Sequence, residues 1–203
     1  MSRSITLAIE GRRAPLPVTA VTGREALSAL FELTATLAGD ADEAAAAIEI
    51  GARATLFVAH GPRTRTIHGI VKAFEQGDAG APHGRVALVP AAYVLALRED
   101  CRVFSGRRAP EIVEAVLAAA GLEPDDYRFA LRGDYGVREH CIQYRENDWT
   151  FLSRLLASEG IHCFFEHGDA RAVLVFADAP GAHADMAAPS TLPFRPGGGA
   201  LET

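Results

Sequence analysis

The sequence is poor in several residues, and each shortage excludes something. Of 203 residues only three are cysteine, two methionine and one tryptophan. Cys101, Cys141 and Cys163 are odd in number and far apart. This is no disulfide scaffold and suits reduced thiols. Lysine occurs once, at Lys72, among 20 basic residues, and no basic run exceeds the pairs Arg12-Arg13 and Arg107-Arg108. With 26 acidic residues and a net charge of -6, the mean field repels phosphate, so no nucleic-acid partner is expected. The longest apolar run, Val86 to Leu97, is broken by Pro90. It falls short of the roughly 20 residues a bilayer span requires, and no stable membrane insertion is expected. Met1 to Ile5 leads straight into alternating apolar and polar residues with no secretory pattern. A soluble chain made in the cytoplasm is expected.

Apolar residues make up 49% of the chain, but 38 of them are alanine, which adds helix propensity and little burial. Leu, Ile, Val and Phe number 51, enough for a core. The length fits one large domain or two small ones.

The first hundred residues read as strands. Phe31, Leu33, Ala35 and Leu37 alternate with Glu32, Thr34 and Thr36, the period of a strand with one wet face. Arg53 to His60 continues this way, Gly61-Pro62 marks a turn, and Thr64 to Phe74 returns as a hairpin. Asp42 to Ile50 reads as a short helix capped by Asp42 and stopped at Gly51. Gln76 to Gly84 reads as a loop, followed by a strand from Arg85. Short strands at these intervals predict a small barrel or sandwich.

Beyond Asp100 the period changes. Pro110 as first helical residue, an apolar side of Ile112, Val113, Val116, Leu117 and Ala120, and Gly121 as stop predict one helix. Asn147 as N-cap, Asp148 at the positive dipole end, a buried stripe from Trp149 to Leu156 and Gly160 as exit predict another. Ile161 to His167 and Ala172 to Ala177 flank a hairpin turn. The last 26 residues hold four Pro and four Gly, too little to fold alone. The expected fold is mainly β with α+β: a small antiparallel barrel (1–100), an α+β domain with two helices and a C-terminal hairpin (101–178), and a Pro/Gly-rich tail or linker (179–203).

Chemistry-bearing patterns are scarce. There is no Walker loop, no Gly-x-Gly-x-x-Gly after a strand and no Gly-x-Ser-x-Gly elbow. His140-Cys141, His162-Cys163 and His167 could in principle supply zinc ligands. However, neighbours on a strand point to opposite faces, which favours Cys141 and Cys163 as small core residues and the histidines as exposed alternates. Glu146 and Asp148 read as capping residues, and Ser105-Gly106 lacks a nucleophile's setting. No catalytic, cofactor-binding or metal-binding residue is assigned.

One run is specific. Gln143-Tyr144-Arg145-Glu146-Asn147-Asp148-Trp149-Thr150-Phe151, Arg154-Leu155, Glu159-Gly160-Ile161 and Phe165-Glu166-His167 resemble the Gln-Tyr-x-Glu-Ser-Asp-x-x-Phe, Arg-Leu, Glu-Gly-Ile, Phe-Glu-His signature of the VgrG proteins. These are valine-glycine repeat spike proteins of type VI secretion systems, related to phage baseplate hub and late control D proteins. Upstream, Gly23, Glu25, Leu27, Ser28 and Phe31 resemble that family's opening, and Pro90 with Arg102 and Phe104 its middle segment. The likeness covers roughly residues 16 to 178. Asn147 stands for a usual serine, a change both residues tolerate as caps, and Ala91-Ala92 stand where many relatives have tryptophan.

The resemblance implies a structural part with no bond made or broken and no cofactor. It implies a homotrimer in the full-length protein, docking on a hexameric tube of Hcp protein, and effectors or adaptors and a tip protein carried through further C-terminal regions. It also implies export through the secretion apparatus without a signal peptide. Tyr144, Trp149, Phe151 and Leu155 read as core, so the signature describes a fold. The second barrel and needle of such chains are not in these residues, so the sequence reads as the front portion of something longer. A contractile-phage tail hub remains the alternative, with a Cys/His metalloenzyme a more distant one.

Overall fold

The computed structural model describes residues 3–38, 48–77 and 84–184. Six strands, β1 (Arg3–Ile9), β2 (Leu16–Arg24), β3 (Glu32–Leu37), β4 (Arg53–His60), β5 (Arg63–Glu75) and β6 (Arg85–Val89), close into an antiparallel barrel in the order β1-β2-β3-β6-β5-β4. Alternation does the sorting: Leu33, Ala35 and Leu37 of β3, Ala54 and Leu56 of β4, and Val86 and Leu88 of β6 turn inward. Residues 42–47 of the expected short helix lie outside the described residues.

Closure is uneven. β1 pairs with β4 from Arg3 to Ile9 but with β2 only at Thr6–Pro17 and Leu7–Leu16. Bulges at Thr19 in β2 and Lys72 in β5 bend the sheet where it must curve. Lys72 reaches the Glu32 carboxylate at 2.8 Å and the face of the Tyr93 ring at 5.0 Å. Gly23 is required where β2 meets β3, because a Cβ there would overlap the Glu32 carbonyl oxygen and the Leu33 side chain.

Pro90, buried, ends β6 and opens a turn into a short helix, α1 (Val94–Leu97). A two-stranded ribbon follows, β7 (Glu99–Arg107) with β9 (Arg138–Asn147), and a three-stranded sheet of β10 (His162–His167), β11 (Ala172–Ala177) and β8 (Tyr127–Ala130). Two longer helices, α2 (Ala109–Ala119) and α3 (Asp148–Ser158), complete the second core. Their apolar sides (Ile112, Val113, Val116, Leu117; Phe151, Leu152, Leu155, Leu156) meet Phe104, Cys141, Cys163 and Phe176 in one cluster. The fold is thus a small antiparallel barrel followed by an α+β part with two main helices and a C-terminal hairpin.

Both helices stop as their glycines dictate. Gly121 and Gly160 adopt φ +83° and +70°, and Leu122 and Ile161 donate back to Leu117 and Leu156. This Schellman arrangement satisfies the last carbonyls. Helix α2 starts at Ala109, one residue before Pro110, and Glu111 reaches back to the Arg108 N–H at 2.7 Å. Asp178 is tied into the fold: its carboxylate accepts from Arg132 N, Gly133 N and the Tyr135 hydroxyl. Those donors hold the Asp178 carboxyl below its ordinary range, and burial with Asp178 pushes the Tyr135 phenol up to about 12.

Arg145 sits at φ +48° in a bulge of β9 opposite Asp100 and Cys101. A side chain is strained there, and glycine is not. Arg145→Gly should therefore stabilise the chain by about 0.5–1 kcal/mol, read as a higher urea midpoint. A lower midpoint would show that the Arg145–Tyr144 stacking contact outweighs the strain.

Candidate functional sites: a polar latch and a histidine junction

Many of the signature residues gather into two constellations that hold the fold together. The first is a polar latch under the ribbon. Asp148, at the first turn of α3, is 0% exposed. Its Oδ1 accepts from Arg102 and, at 2.9 Å, from Gln143 Nε2. Arg102 also donates twice to Gln143 Oε1, at 2.9 and 2.7 Å, and Gln143 Nε2 donates to the Glu146 carbonyl at 3.0 Å. Arg98 lies 3.6 Å from the other Asp148 oxygen, and the Asp148 N–H donates to the Arg98 carbonyl. One buried carboxylate thus ties together β7, β9, α3 and the end of α1.

Asp148 therefore does more than favour the helix dipole. Asn147 does cap: its Oδ1 accepts from Thr150 N at 2.8 Å. Glu146 also differs from a simple cap, clamping Arg154 through both carboxylate oxygens, while Arg154 donates to the Ile142 carbonyl. The Arg154 hydrogen bond holds the Glu146 carboxyl below its ordinary range, and Glu146 raises Arg154 in turn. Arg138 binds Glu159 and Ser158 at the far end of α3. Leu155 and Ile161 are buried, and Phe151 is buried and stacks on Phe104 at 5.7 Å.

One residue expected in the core is elsewhere: Tyr144 is 65% exposed, while Trp149 is half-buried and packs against the second core. On β9 the inward positions are Cys141 and Gln143, so Ile142 and Tyr144 face out. Gln143 can occupy the inside because the latch satisfies its whole amide.

The second constellation joins the barrel to the α+β part. After β2 the chain turns through Ser28, at φ +53°. The Ser28 N–H donates to the Cys163 carbonyl at 2.7 Å, and Cys163 N donates to Ser28 Oγ at 3.3 Å. Ser28 thus pairs with the edge of β10, while Leu27 beside it is exposed. Buried Phe31 meets Phe165 edge to face at 5.2 Å and His167 at 5.6 Å. His167 Nδ1 accepts from the His68 N–H at 3.1 Å, and its Nε2 lies 3.8 Å from Glu25, which pairs with Arg65. His68 Nε2 donates to the Gly168 carbonyl at 2.9 Å, leaving Nδ1 to accept from the Thr55 hydroxyl at 3.1 Å. Glu166 faces away and pairs with Arg128.

Exposed alternation fails for His167, whose side chain is only 11% exposed, because the barrel covers that face of β10. His68, Thr55 and Arg65 carry no sequence signal, since their partners lie far along the chain. Burial pushes the Cys163 thiol up to about 11, leaving it a neutral core group. Burial also lowers His167 from 6.5, with Arg65 and His68 acting the same way and Glu25 opposing. A lowered histidine stabilises the fold fully above the ordinary value and loses that stability as pH falls through the lower folded value. The urea midpoint should fall between about pH 7.5 and about pH 5.5. His167→Asn, which keeps an acceptor but does not titrate, should fall less. Equal losses in both proteins would count against His167 as the cause.

The His140-Cys141 and His162-Cys163 pairs split across their strands, with Cys141 and Cys163 buried. Among the described residues no three His, Cys, Asp or Glu side chains converge to hold a metal ion. Ser105 Oγ and His140 Nδ1 lie 3.1 Å apart, on the exposed ribbon face. A cleft of about 680 Å³ between β1 and β2 is lined by Ser4, Ile5, Thr6, Val18, Val21 and Val58 among others and carries no titratable side chain. Among the described residues no helix is long and apolar enough to cross a membrane.

Known proteins resemble this chain in sequence and in fold. The chain is 36% identical over 175 residues to the type VI secretion system spike protein VgrG4b of Pseudomonas aeruginosa, covering 85% of this chain and 21% of that protein. It is 41% identical over 140 residues to the actin cross-linking toxin VgrG1 of Vibrio cholerae, covering 68% and 12%. The chain therefore spans about a fifth or less of these two relatives. Among solved structures, it matches the E. coli c3393 protein, described as a component of the type VI secretion system similar to T4 bacteriophage tail proteins gp27 and gp5. That match has a TM-score of 0.76 and 27% identity, over 88% of this chain and 50% of that one. A 43 kDa tail protein of prophage MuSo2 from Shewanella oneidensis shares the fold, at TM-score 0.54 and 20% identity over 87% of this chain and 55% of that one. With the profile of the phage tail baseplate hub (GPD) matching residues 24–203, the chain belongs to that family.

Proposed function

We propose that this chain is the front, hub portion of the puncturing spike of a type VI secretion system. The observation that carries this reading is the identity of 36% to a spike protein across 85% of the chain. The geometry supports it, because the polar signature residues of the latch and the junction are engaged in holding elements together. In this reading the chain supplies rigidity and docking surface and makes or breaks no bond. Residues 1–100 form a barrel unit, 101–178 an α+β unit, and 179–203, of which 185–203 lie outside the described residues, a tail or linker. The full-length protein is a trimer that docks on the hexameric tube, carries effectors through regions beyond this one, and leaves the cytoplasm through the apparatus itself. A contractile-phage hub is the second reading, favoured by the family profile.

Two experiments test the first reading. Residues 16–178, grafted in place of the matching segment of VgrG4b, should retain export of that spike. A folded graft that blocks export would overturn it. The isolated chain should be monomeric or weakly associated, since it spans about a fifth of the spike relative's length, and a tight trimer by light scattering would refute that.

A further inference from the structure

Of the seven histidines in the chain, two meet nitrogen to nitrogen beside the C-terminal hairpin. His162 opens β10, opposite Ala177 in the ladder. His183 follows the short turn Pro180–Ala182, 21 positions later. Their Nε2 atoms stand 3.1 Å apart, with the ring centroids at 5.2 Å and the planes inclined at 17°. Centroids so much farther apart than the nitrogens set the rings end to end, not face over face. One imidazole donates its Nε2–H and the other accepts it, so a single proton lies between two nitrogens.

The surroundings hold this pair in position. Phe164 lies two residues along β10 from His162, hence on the same face. Its ring centroid is 4.2 Å from that of His183 and 6.2 Å from that of His162. The turn that delivers His183 is closed by its own hydrogen bonds, Ala182 N–H to the Ala179 carbonyl at 3.1 Å and His183 N–H to the Pro180 carbonyl at 3.2 Å. Just before that turn, Asp178 is fastened to Arg132, Gly133 and Tyr135. His162 is half-buried in the sheet, while His183 is exposed, which leaves a ring free to turn and one side of the pair open to water.

The spacing suits two ligands on one ion. With metal–nitrogen bonds of about 2.0–2.1 Å, adjacent ligands of a tetrahedral or square-planar ion stand about 2.9–3.4 Å apart. We propose that His162 and His183 chelate a divalent late first-row transition-metal ion through their Nε2 atoms, with water in its remaining positions. The ion takes the place of the shared proton, which passes through water to Nδ1 of its own ring, so both imidazoles stay neutral. Copper, nickel and zinc all suit imidazole, and copper(II) binds tightest of the three to a given set of ligands. The bound ion clips the segment after β11 to the start of β10. This site is independent of the spike and phage readings.

Calorimetric titration of the untagged chain at neutral pH, carrying Cys101→Ser to remove the exposed thiol, should show one tight equivalent of Cu2+ and weaker binding of Ni2+ at the same site. His162→Gln and His183→Gln should each raise the dissociation constant about tenfold or more, because the second imidazole binds from within the same molecule. Combining them should add far less than the first replacement did, as for two groups acting as one unit. His140→Gln, which removes an exposed histidine of the ribbon, should leave binding unchanged. Excess Ni2+ should raise the melting temperature of the parent and not of His183→Gln, since unfolding separates the two ligands. Circular dichroism checks that the variants fold. Absence of a tight equivalent, affinity that survives either replacement, or an equal loss in His140→Gln would each overturn the proposal.

Discussion

Asp148→Ala should destabilise the chain by about 3–5 kcal/mol, the range for breaking a buried ion pair by removing one partner. The cost is not the loss of one attraction. It is the stranding of Arg102, largely buried at 19% side-chain exposure, together with a Gln143 amide that is fully buried. Arg98 would also lose its carboxylate, but it is more exposed and can turn to water. At roughly 2–4 °C per kcal/mol for a chain of this size, the melting temperature should drop by about 6–20 °C. The same physics predicts a contrast. Replacing the whole latch with apolar side chains of similar shape (Arg102→Met, Gln143→Met, Asp148→Leu) leaves nothing charged to strand, and should recover much of the loss. Thermal and urea unfolding of the two variants decide the matter. A single variant that loses under about 1 kcal/mol, or a triple variant worse than the single one, would show that the latch is not what holds the ribbon to α3.

Phe31→Ala should cost about 3–5 kcal/mol for a different reason. Phe31 fills the point where the barrel core reaches the α+β part, with Phe165 and His167 on its far side. Truncation removes transfer energy and leaves a cavity that neither core can close, because one wall is a closed barrel and the other a hairpin pinned by Ser28 and His68. Water admitted there would also relieve the burial that lowers His167. The His167 imidazole should therefore titrate closer to 6.5 in Phe31→Ala than in the parent, as followed by NMR. A large loss of stability with no movement of His167 would place the damage inside the barrel and not at the junction.

These effects lie where sequence patterns were least informative. Strands β3 to β6 of the barrel, both main helices with their glycine stops, the Asn147 cap and the C-terminal hairpin follow from period and punctuation, because each is set by residues within a few positions of one another. Tyr144 shows the limit. Its hydrophobicity suggested burial, yet the alternation of β9 puts Gln143 inside and Tyr144 outside, an inversion that only Arg102 and Asp148 can stabilise. Asp148 likewise read as a dipole residue because its local role is real, while its main partner lies 46 positions away. His167 read as an exposed alternate because nothing in its own strand announces a barrel wall contributed by His68, 99 residues earlier.

The sequence by itself determined the class of fold, the two main helices and the C-terminal hairpin, the absence of long apolar spans and, through the spaced run from Gln143 to His167, the family. Local rules suffice for these, because backbone propensity, capping and face alternation act over a few residues. Tertiary structure alone decided which polar groups were to be buried, and against what. It decided that Asp148 would close a latch and that the barrel would shield His167. Such choices depend on which distant surfaces meet, and a buried charge is defined only once the rest of the chain has taken its place.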